Sequence, residues 1–204
     1  MNAQRLEPRS SELLRETKET RIRARLCLDG SGRAEVSTGL AFLDHMLVTW
    51  VRFACFDLEL DVRGDLVVDD HHTVEDTALV VGACIAKALA ERRGVARFGH
   101  AYAPLDEALV RAVVDLSGRP FARVKLNFVR PNLGDVATEN LVHFFQSLAM
   151  AAALTLHLDE LDGANDHHRA EAAFKALGLA LRAAVRRDAG TNVDAVPSTK
   201  GVIG

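Results

Sequence analysis

The feature that most constrains this chain is a six-residue pattern that occurs twice, about 95 residues apart. Residues 70–75 read Asp-His-His-Thr-Val-Glu, and residues 166–171 read Asp-His-His-Arg-Ala-Glu. With 8 His and 28 acidic residues among 204, an acid-His-His-x-x-acid pattern is expected about 0.006 times per chain of this composition. Its recurrence indicates two repeats, each organised around one copy.

Helix geometry makes each copy a candidate set of metal ligands. Each copy lies at the start of a predicted helix, where residues three and four apart share a face, so Glu75 lies near both His71 and His72. Adjacent histidines point about 100° apart around a helix, which favours binding to two different ions. Imidazole with carboxylate and without thiolate is typical of Mn, Fe(II), Zn or Ni sites. The second copy offers the same kind of set: His167, His168 and Glu171.

Two lone histidines extend these sets. His45 precedes His71, and His143 precedes His167, by about 25 residues in each case. A lone histidine is usually a buried structural residue, and a histidine-rich helix start can be simply solvated. The matched placement of both features in the two repeats favours metal binding instead. Each site would then hold three histidines and one glutamate, with open positions that distinguish a catalytic from a structural metal site.

Composition excludes several classes of function. The net charge of −3 gives no sign of nucleic-acid or anionic-membrane binding. No apolar run reaches transmembrane length, and residues 1–18 lack the apolar segment of a signal peptide. Cys27, Cys55 and Cys84 are scattered and odd in number, which indicates reduced thiols rather than a disulfide framework. We therefore expect a cytoplasmic protein.

The order of predicted elements favours an α+β fold with an internal duplication of two half-domains. Residues 1–94 form the first half-repeat with its N-terminal arm, 95–190 the second, and 191–204 a C-terminal tail without periodicity. In the first half we predict a loose arm at 1–17, a strand at 19–28 followed by a hairpin turn and a return strand at 34–36, a helix at 40–54, strands at 56–62 and 66–68, and a helix from Asp69 or Asp70 to Gly94.

The second half is predicted to repeat this plan. Alternating apolar residues predict strands at 109–116 and 121–128. A helix at 138–157 carries His143 and is followed by a link at 158–164. Asn165 or Asp166 can cap a last helix that runs to Arg187.

Long motifs in a fixed order give the chain a specific resemblance. They cover nearly everything from residue 16 onward and lie at residues 17–20, 42–47, 64–66, 69–76, 115–120, 143–145, 155–157, 163–168 and 197–201; they include Phe-Leu-Asp-His-Met-Leu, Asp-Leu-Ser-Gly-Arg-Pro, Gly-Ala-Asn-Asp-His-His and Pro-Ser-Thr-Lys-Gly. The chain resembles the imidazoleglycerol-phosphate dehydratase family.

The resemblance implies a fold, an assembly and a reaction. The fold is two four-stranded sheets, each with helices packed on one face (ribosomal protein S5 domain 2-like). The assembly is a homo-oligomer, a 24-mer built from trimers, whose sites draw ligands from more than one subunit. The activity is that of a di-manganese lyase (hydro-lyase, carbon–oxygen) of histidine biosynthesis. It dehydrates D-erythro-imidazole glycerol phosphate, a small-molecule phosphate substrate, to imidazole acetol phosphate and water. Two Mn²⁺ per active site bind the imidazole as imidazolate.

The resemblance also implies roles for particular residues. One ion would take His71, His143, His167 and Glu171, and the other His45, His72, His168 and Glu75. The residues implied in catalysis are Glu19, Glu171 and His72. Those implied in substrate binding are Glu19, His45, Arg97, Arg119, Lys175, Ser198 and Lys200, and the tail is read as a segment that substrate orders.

Two departures and two alternatives stand beside this interpretation. Thr49 replaces a glutamine usual in the family, and Phe53-Ala54-Cys55 replaces a His-Gly-Gly run. One alternative is a two-metal hydrolase of phosphate esters. The other is a metal-storing shell protein without chemistry. Clustering of Arg97, Arg119 and Lys200 near the metal ligands would speak against the storage protein, and their dispersal would support it.

Overall fold

Two four-stranded sheets and four helices dominate the part of the chain that the structure, a computed structural model, describes: residues 7–187, 195–201 and 203. The first half contains β1 (Ser10–Glu16), β2 (Thr20–Cys27), β3 (Ala34–Ser37), α1 (Ala41–Ala54), β4 (Asp57–Gly64) and α2 (His71–Leu89). The second half contains β5 (Phe98–Leu105), β6 (Ala108–Asp115), β7 (Phe121–Lys125), the short pair β8 (Asn132–Leu133) and β9 (Val136–Ala137), α3 (Thr138–Ala151), β10 (Thr155–Asp162) and α4 (Asp166–Val185).

The two sheets have the same topology. The first has the strand order β1-β2-β4-β3 and the second β5-β6-β10-β7. In each sheet the first three strands are antiparallel and the last is parallel to its neighbour, because a helix makes the crossover between them. The predicted α+β fold with an internal duplication is confirmed.

One face of each sheet is apolar because side chains alternate along a strand. Ile22, Ala24 and Leu26 of β2 are fully buried, while the arginines between them point to the opposite face. Val110, Ala112 and Val114 do the same in β6. Helix α2 covers the apolar face of the first sheet, and α4 covers that of the second. The core of the described residues is one continuous cluster of buried side chains.

The helices pair across the duplication. Helix α1 of the first half packs on α4 of the second, and α2 of the first packs on α3 of the second. A glycine permits each close approach: a Cβ at Gly82 would lie 2.6 Å from the Leu148 carbonyl oxygen, and one at Gly178 would lie 2.7 Å from that of Trp50. The predicted division at residues 94 and 190 stays a prediction, but the halves share their helix pairs.

Several predicted elements of the first half are wrong. The arm at 1–17 contains β1, which turns only Ser11 and Leu13 inward and so lacks an apolar pattern. The return strand at 34–36 does not form a hairpin with β2; it pairs in parallel with β4 after the α1 crossover. Residues 66–68 form a turn, closed by the Val68 amide on the Asp65 carbonyl, and Val67 is fully exposed. Helix α2 ends at Leu89 rather than near Gly94.

Corrections in the second half concern two missed strands of the second sheet and one helix end. Strand β5 was not predicted, because Gly99 and Pro104 interrupt its pattern. The helix predicted at 138–157 stops at Ala151, and residues 155–162 form β10 instead of the predicted link. Ala153 adopts a left-handed φ of 49° and ends the helix. Residues 191–194, 202 and 204 of the predicted tail lie outside the described residues.

No helix among the described residues is long and apolar enough to span a membrane.

Candidate metal centre

The α2–α3 pair brings three candidate ligands together. The Asp69 carboxylate accepts the His71 amide at 2.9 Å and supports the start of α2. His71 and Glu75 lie one turn apart on α2, and their Nε2 and Oε2 atoms are 3.7 Å apart. His143 of α3 places its Nε2 atom 3.1 Å from Glu75 Oε1. We call His71, Glu75 and His143 the α2–α3 trio.

The α1–α4 pair repeats this arrangement. Asn165 caps α4, as predicted, by accepting the His167 amide at 2.9 Å. His167 and Glu171 lie one turn apart, and Nε2 of His167 is 3.3 Å from Oε2 of Glu171. His45 of α1 places its Nε2 atom 3.4 Å from the same oxygen. We call His45, His167 and Glu171 the α1–α4 trio.

Each trio fits a divalent metal ion. One donor atom from each of its three residues lies within 4.8 Å of the other two, and the donors are two imidazole nitrogens and one carboxylate. Such N/O sets suit first-row divalent ions. Burial raises the pKa of Glu171, but Lys175, whose Nζ lies 2.8 Å from Oε1, and His45 outweigh it and lower the pKa overall. Glu171 therefore remains an ionised ligand at neutral pH.

The second histidine of each motif lies outside its trio. His72 turns its Nδ1 atom to Asp65, at 3.0 Å from Oδ2, and His168 turns its Nδ1 atom to Glu107, at 2.7 Å from Oε2. These hydrogen bonds are the largest causes that raise the pKa of His72 and of His168. The contact with His168, with the Asn165 amide, lowers the pKa of Glu107 to about 2. Both rings present Nε2 away from their carboxylate partners.

Within one protomer the candidate ligands group differently from the predicted distribution between two ions, which stays a prediction because its sites draw ligands from more than one subunit. The prediction separated Glu75 from His71 and His143, and separated Glu171 from His45. The structure joins them because the distribution depends on helix pairing: each glutamate shares a helix face with the first histidine of its own motif and faces the partner helix. The inference that adjacent histidines face different ways agrees with the structure, since the ring planes of His71 and His72 differ by 76°.

Two predicted catalytic or substrate-binding residues, Glu19 and Lys175, lie close to the motif histidines and glutamates. An oxygen of Glu19 is 3.8 Å from His72 Nε2, and about half of the Glu19 side chain is exposed. Lys175 contacts Glu171, and its Nζ atom lies 5.6 Å from the centre of the Phe53 ring. The unusual residue Phe53 thus touches a predicted substrate contact. Thr49 lies one turn after His45 on α1 and is half-buried.

The predicted phosphate contacts lie elsewhere in the protomer. Arg97 binds both carboxylate oxygens of Asp115 through Nε and Nη2, at 2.7 and 3.1 Å, and donates from Nη1 to the Pro197 carbonyl. Arg119 is exposed in the turn after β6, and Ser198 and Lys200 lie in a turn of the tail. Arg97 and Asp115 lie at one end of the β5–β6 hairpin, while Glu107 lies at the other.

An eight-residue strand spans roughly 26 Å, so Arg97 is far from the Glu107–His168 pair in the same protomer. The structure therefore does not bring Arg97 and its neighbours to the trios within one chain. Arg97 instead meets the tail that carries Lys200, through its bond to the Pro197 carbonyl.

Sequence reasoning missed four polar residues at these sites. Asp65, Glu107 and Asn140 bind the Nδ1 atoms of three histidines, and Asp115 holds Arg97. A signal was present for Glu107, which corresponds to Glu19 in the repeat because each residue directly precedes the second strand of its sheet. Asp65 lies inside the Gly-Asp-Leu motif. Nothing in the local sequence linked Asn140 or Asp115 to a partner.

Comparison with known proteins gives a consistent result. The profile of the imidazoleglycerol-phosphate dehydratase family matches residues 38–181. Proteins named imidazoleglycerol-phosphate dehydratase from Methanothermobacter thermautotrophicus and Bordetella avium are 50% and 49% identical, over 95% and 96% of this chain and 97% and 100% of their own lengths. One from Phytophthora nicotianae is 54% identical over 96% of this chain, which spans 42% of that longer protein.

Solved structures agree with the sequence relatives. The crystal structure of imidazoleglycerol-phosphate dehydratase from Pyrococcus furiosus superposes with a TM-score of 0.80 at 36% identity, covering 94% of this chain and 100% of its own. The Staphylococcus aureus structure has the same TM-score at 31% identity, covering 88% and 99%. The duplicated fold, the twin ligand trios and these likenesses lead to one conclusion: the chain belongs to the imidazoleglycerol-phosphate dehydratase family.

Proposed function

We propose that the protein is an imidazoleglycerol-phosphate dehydratase of histidine biosynthesis, which converts D-erythro-imidazole glycerol phosphate to imidazole acetol phosphate and water. The observation that carries the proposal is the pair of trios, each with two imidazole Nε2 atoms around one carboxylate, in a chain of this family. The reaction class is a carbon–oxygen hydro-lyase in the cytoplasm, where Cys27, Cys55 and Cys84 would remain the free thiols they are in the structure.

The trios are the proposed sites of two Mn²⁺ ions. His71, Glu75 and His143 would hold one ion, and His45, His167 and Glu171 the other. When bound, the ions supply Lewis acidity that polarises the imidazole and hydroxyl groups of the substrate. The helices supply rigidity, because each ligand is fixed by an element packed in the core. Mn²⁺ rather than another first-row ion is part of the proposal, and the donor set is compatible with it.

Residues around the trios have separate tasks. Glu19 is the proposed proton-transfer group: about half of its side chain is exposed, and its carboxylate lies 3.8 Å from His72 Nε2. Lys175 holds Glu171 ionised and in place. Arg97, Arg119, Ser198 and Lys200 are the proposed phosphate contacts, since guanidinium and ammonium groups bind phosphate oxygens.

The site is proposed to be complete only between copies of the chain. Neither His72 nor His168 belongs to a trio, and each trio offers three donors where a catalytic ion takes further ligands. The cations Arg97 and Arg119 lie about 26 Å along the sheet from the Glu107–His168 pair. A neighbouring copy can supply both, which favours the proposed 24-mer built from trimers.

One specific observation supports the storage-protein alternative. Arg97 lies far from the Glu107–His168 pair within the protomer, whereas clustering of Arg97, Arg119 and Lys200 near the metal ligands would speak against a metal-storing shell. This observation does not favour a storage protein if the cations lie near the metal ions of a neighbouring subunit. The phosphate-ester hydrolase alternative has no comparable support. The chain belongs to a dehydratase family, and neither trio contains the bridging aspartate on which two-metal hydrolases usually rely.

An assay of the purified protein tests the proposal. With Mn²⁺ and imidazole glycerol phosphate, we expect formation of the acetol-type ketone without release of inorganic phosphate. Removal of the metal by a chelator should abolish ketone formation, and added Mn²⁺ should restore it. Phosphate release would favour a hydrolase, and metal binding without turnover would favour the storage protein. Full activity of the metal-free protein would contradict the metal assignment.

A further inference from the structure

The histidines of the site share one orientation. In His45, His71, His143 and His167, the Nε2 atom faces the carboxylate of its trio, at 3.1 to 3.7 Å. In His72 and His168 a carboxylate takes the Nδ1 atom, so Nε2 is again the nitrogen that remains for an ion. Nε2 is therefore the nitrogen that each ring offers to an ion. A neutral imidazole has one N–H and one nitrogen lone pair. Its Nε2 atom can therefore bind an ion only while the proton is on Nδ1.

Three of the rings have an Nδ1 partner that can hold this proton. His72 pairs with Asp65 at 3.0 Å, His168 with Glu107 at 2.7 Å, and His71 with the amide oxygen of Asn140 at 2.9 Å. An ionised carboxylate only accepts hydrogen bonds. In the neutral ring, contact with Asp65 or Glu107 thus requires Nδ1–H and leaves the Nε2 lone pair free.

Glu107 is itself fixed in position. Its Oε1 atom accepts the amides of Ala164 and Asn165, at 3.1 and 2.7 Å, and its Oε2 atom is the one that meets His168. The carboxylate therefore links the turn between β5 and β6 to the loop that begins α4. A movement of this turn or of this loop would tilt the His168 ring.

The two halves reach this arrangement by different routes. In the repeat, Glu107 corresponds to Glu19, yet Glu19 lies 3.8 Å from the Nε2 atom of His72 and not on its Nδ1 atom. Asp65, in the turn after β4, takes the Nδ1 atom instead. The carboxylate contact at Nδ1 of both His72 and His168 is therefore not a by-product of duplication. Because Asp65 makes this contact in the first half, Glu19 remains free for the substrate.

We propose that Asp65 and Glu107 are positioning residues, which hold His72 and His168 in the Nδ1–H tautomer and aim the Nε2 atom of each ring at a metal ion outside its own trio. This inference rests on the proposed function, since it takes the histidines as Mn²⁺ ligands. Outer partners of this type commonly change metal affinity 10- to 100-fold. Neither carboxylate touches the substrate in this assignment.

Binding of Mn²⁺ alone tests the inference without an activity assay. Titration of metal-free full-length protein, with free Mn²⁺ followed by electron paramagnetic resonance, should show affinity lowered about 10- to 100-fold in Asp65→Ala and Glu107→Ala. Asp65→Asn and Glu107→Gln should recover part of the loss, because an amide oxygen can still accept from Nδ1–H. Because an amide of the same shape would also rescue a purely structural role, the nitrogen-15 signals of the histidines are the readout that separates the two roles.

Two controls match the variants closely. Asp106→Asn changes the neighbour of Glu107 in the same turn, which lies 3.9 Å from Nε2 and not at Nδ1. Asp61→Asn changes an exposed acid on β4, close to Asp65 in sequence. Both controls should bind Mn²⁺ as the wild type does.

The tautomers of His72 and His168 can also be measured directly, in the wild-type protein and in the variants. Solid-state nitrogen-15 spectra of histidine-labelled, metal-free protein should contain Nδ1–H signals that disappear in Asp65→Ala and Glu107→Ala. Wild-type Mn²⁺ affinity and unchanged tautomers in these variants would overturn the inference while leaving the dehydratase assignment intact. A wild-type protein that binds no Mn²⁺ would overturn both, and the ketone assay separates the two cases.

Discussion

At the residue scale, the sequence singled out the candidate ligands but not their grouping within the protomer. The acid-His-His-x-x-Glu pattern and the matched lone histidines include the six residues that form the two trios. Which of them meet depends on how α1 and α3 pair with the motif helices, and no local pattern encodes that choice. Within one protomer Glu75 lies with His71 and His143, whereas the predicted distribution, whose sites draw on more than one subunit, assigns Glu75 to the other ion.

Loss of either central carboxylate should remove one ion. We predict that Glu75→Gln empties the α2–α3 trio and that Glu171→Gln empties the α1–α4 trio, because each glutamate meets both imidazoles of its trio. Each variant should lose one of the two proposed ions, and activity should fall by more than about 100-fold, beyond the usual cost of losing an outer partner.

Elemental analysis and the ketone assay measure the two effects of these glutamate substitutions. Glu16→Gln is the matched control, since Glu16 is exposed on the outer face of the first sheet. Equal metal content in the control and in both variants would show that the trios are not the ligand sets.

At the element scale, the sequence failed to predict β1 and β10 for different reasons. β1 buries Ser11 and half-buries Leu13, so its identity comes from backbone pairing with β2. β10 was hidden by the helix-forming run before it, although Leu154, Leu156 and Leu158 are buried in strand alternation. Strand β2, with its regular alternation, and the cap of α4 were predicted correctly.

Asp57 at the start of β4 should make stability depend on pH. Burial raises the pKa of Asp57, but the amides of Ser31 and Arg33 and the Arg33 guanidinium outweigh it and bring the pKa to about 2, below the ordinary value of 3.8. The contribution is therefore complete above pH 3.8 and is lost as pH falls through about 2.

We predict that Asp57→Asn lowers the free energy of unfolding by roughly 1 kcal/mol or more at neutral pH, because charge-assisted bonds are lost. The difference from wild type should shrink on acidification, which urea unfolding of the metal-free protein at several pH values measures. Asp61→Asn, on the exposed face of the same strand, should show no such trend. A difference that stayed constant down to about pH 2.5 would contradict the assigned cause.

The tail is anchored through Asp115. This carboxylate fixes Arg97, and Arg97 binds the Pro197 carbonyl next to Ser198; the Gly94 amide adds a bond to the Ala195 carbonyl. We predict that Asp115→Asn releases the tail, so KM for the phosphate substrate rises several-fold with a smaller change in kcat. Limited proteolysis should cut the tail faster than in wild type. An unchanged digestion pattern and KM, as expected for the exposed variant Glu91→Gln, would exclude this role.

At the scale of the whole molecule, one protomer does not gather all of the proposed ligands and phosphate contacts. His72 and His168 belong to neither trio, and Arg97 lies far from the Glu107–His168 pair. The sequence could predict this only through family resemblance, because subunit contacts leave no periodic signal in a single chain.

Metal removal should therefore affect assembly and activity together. We predict that a chelator dissociates the large assembly into smaller oligomers and abolishes dehydration, since the same ions join the subunits and serve the reaction. Size-exclusion chromatography with light scattering, run in parallel with the ketone assay, measures both. Restoration of both by Mn²⁺ is the control for irreversible unfolding. A metal-free protein of unchanged mass would show that the ions do not hold the subunits together.

The crossed pairing of helices has a consequence for the evolution of the chain. His45 comes from the first half and meets His167 and Glu171 of the second, while His143 comes from the second half and meets His71 and Glu75 of the first. Neither half alone possesses a full coordination set. After duplication, then, the two copies could not diverge freely: a helix lost or tilted in one would disable an ion bound largely by the other, and this mutual dependence preserves the symmetry still visible after fusion.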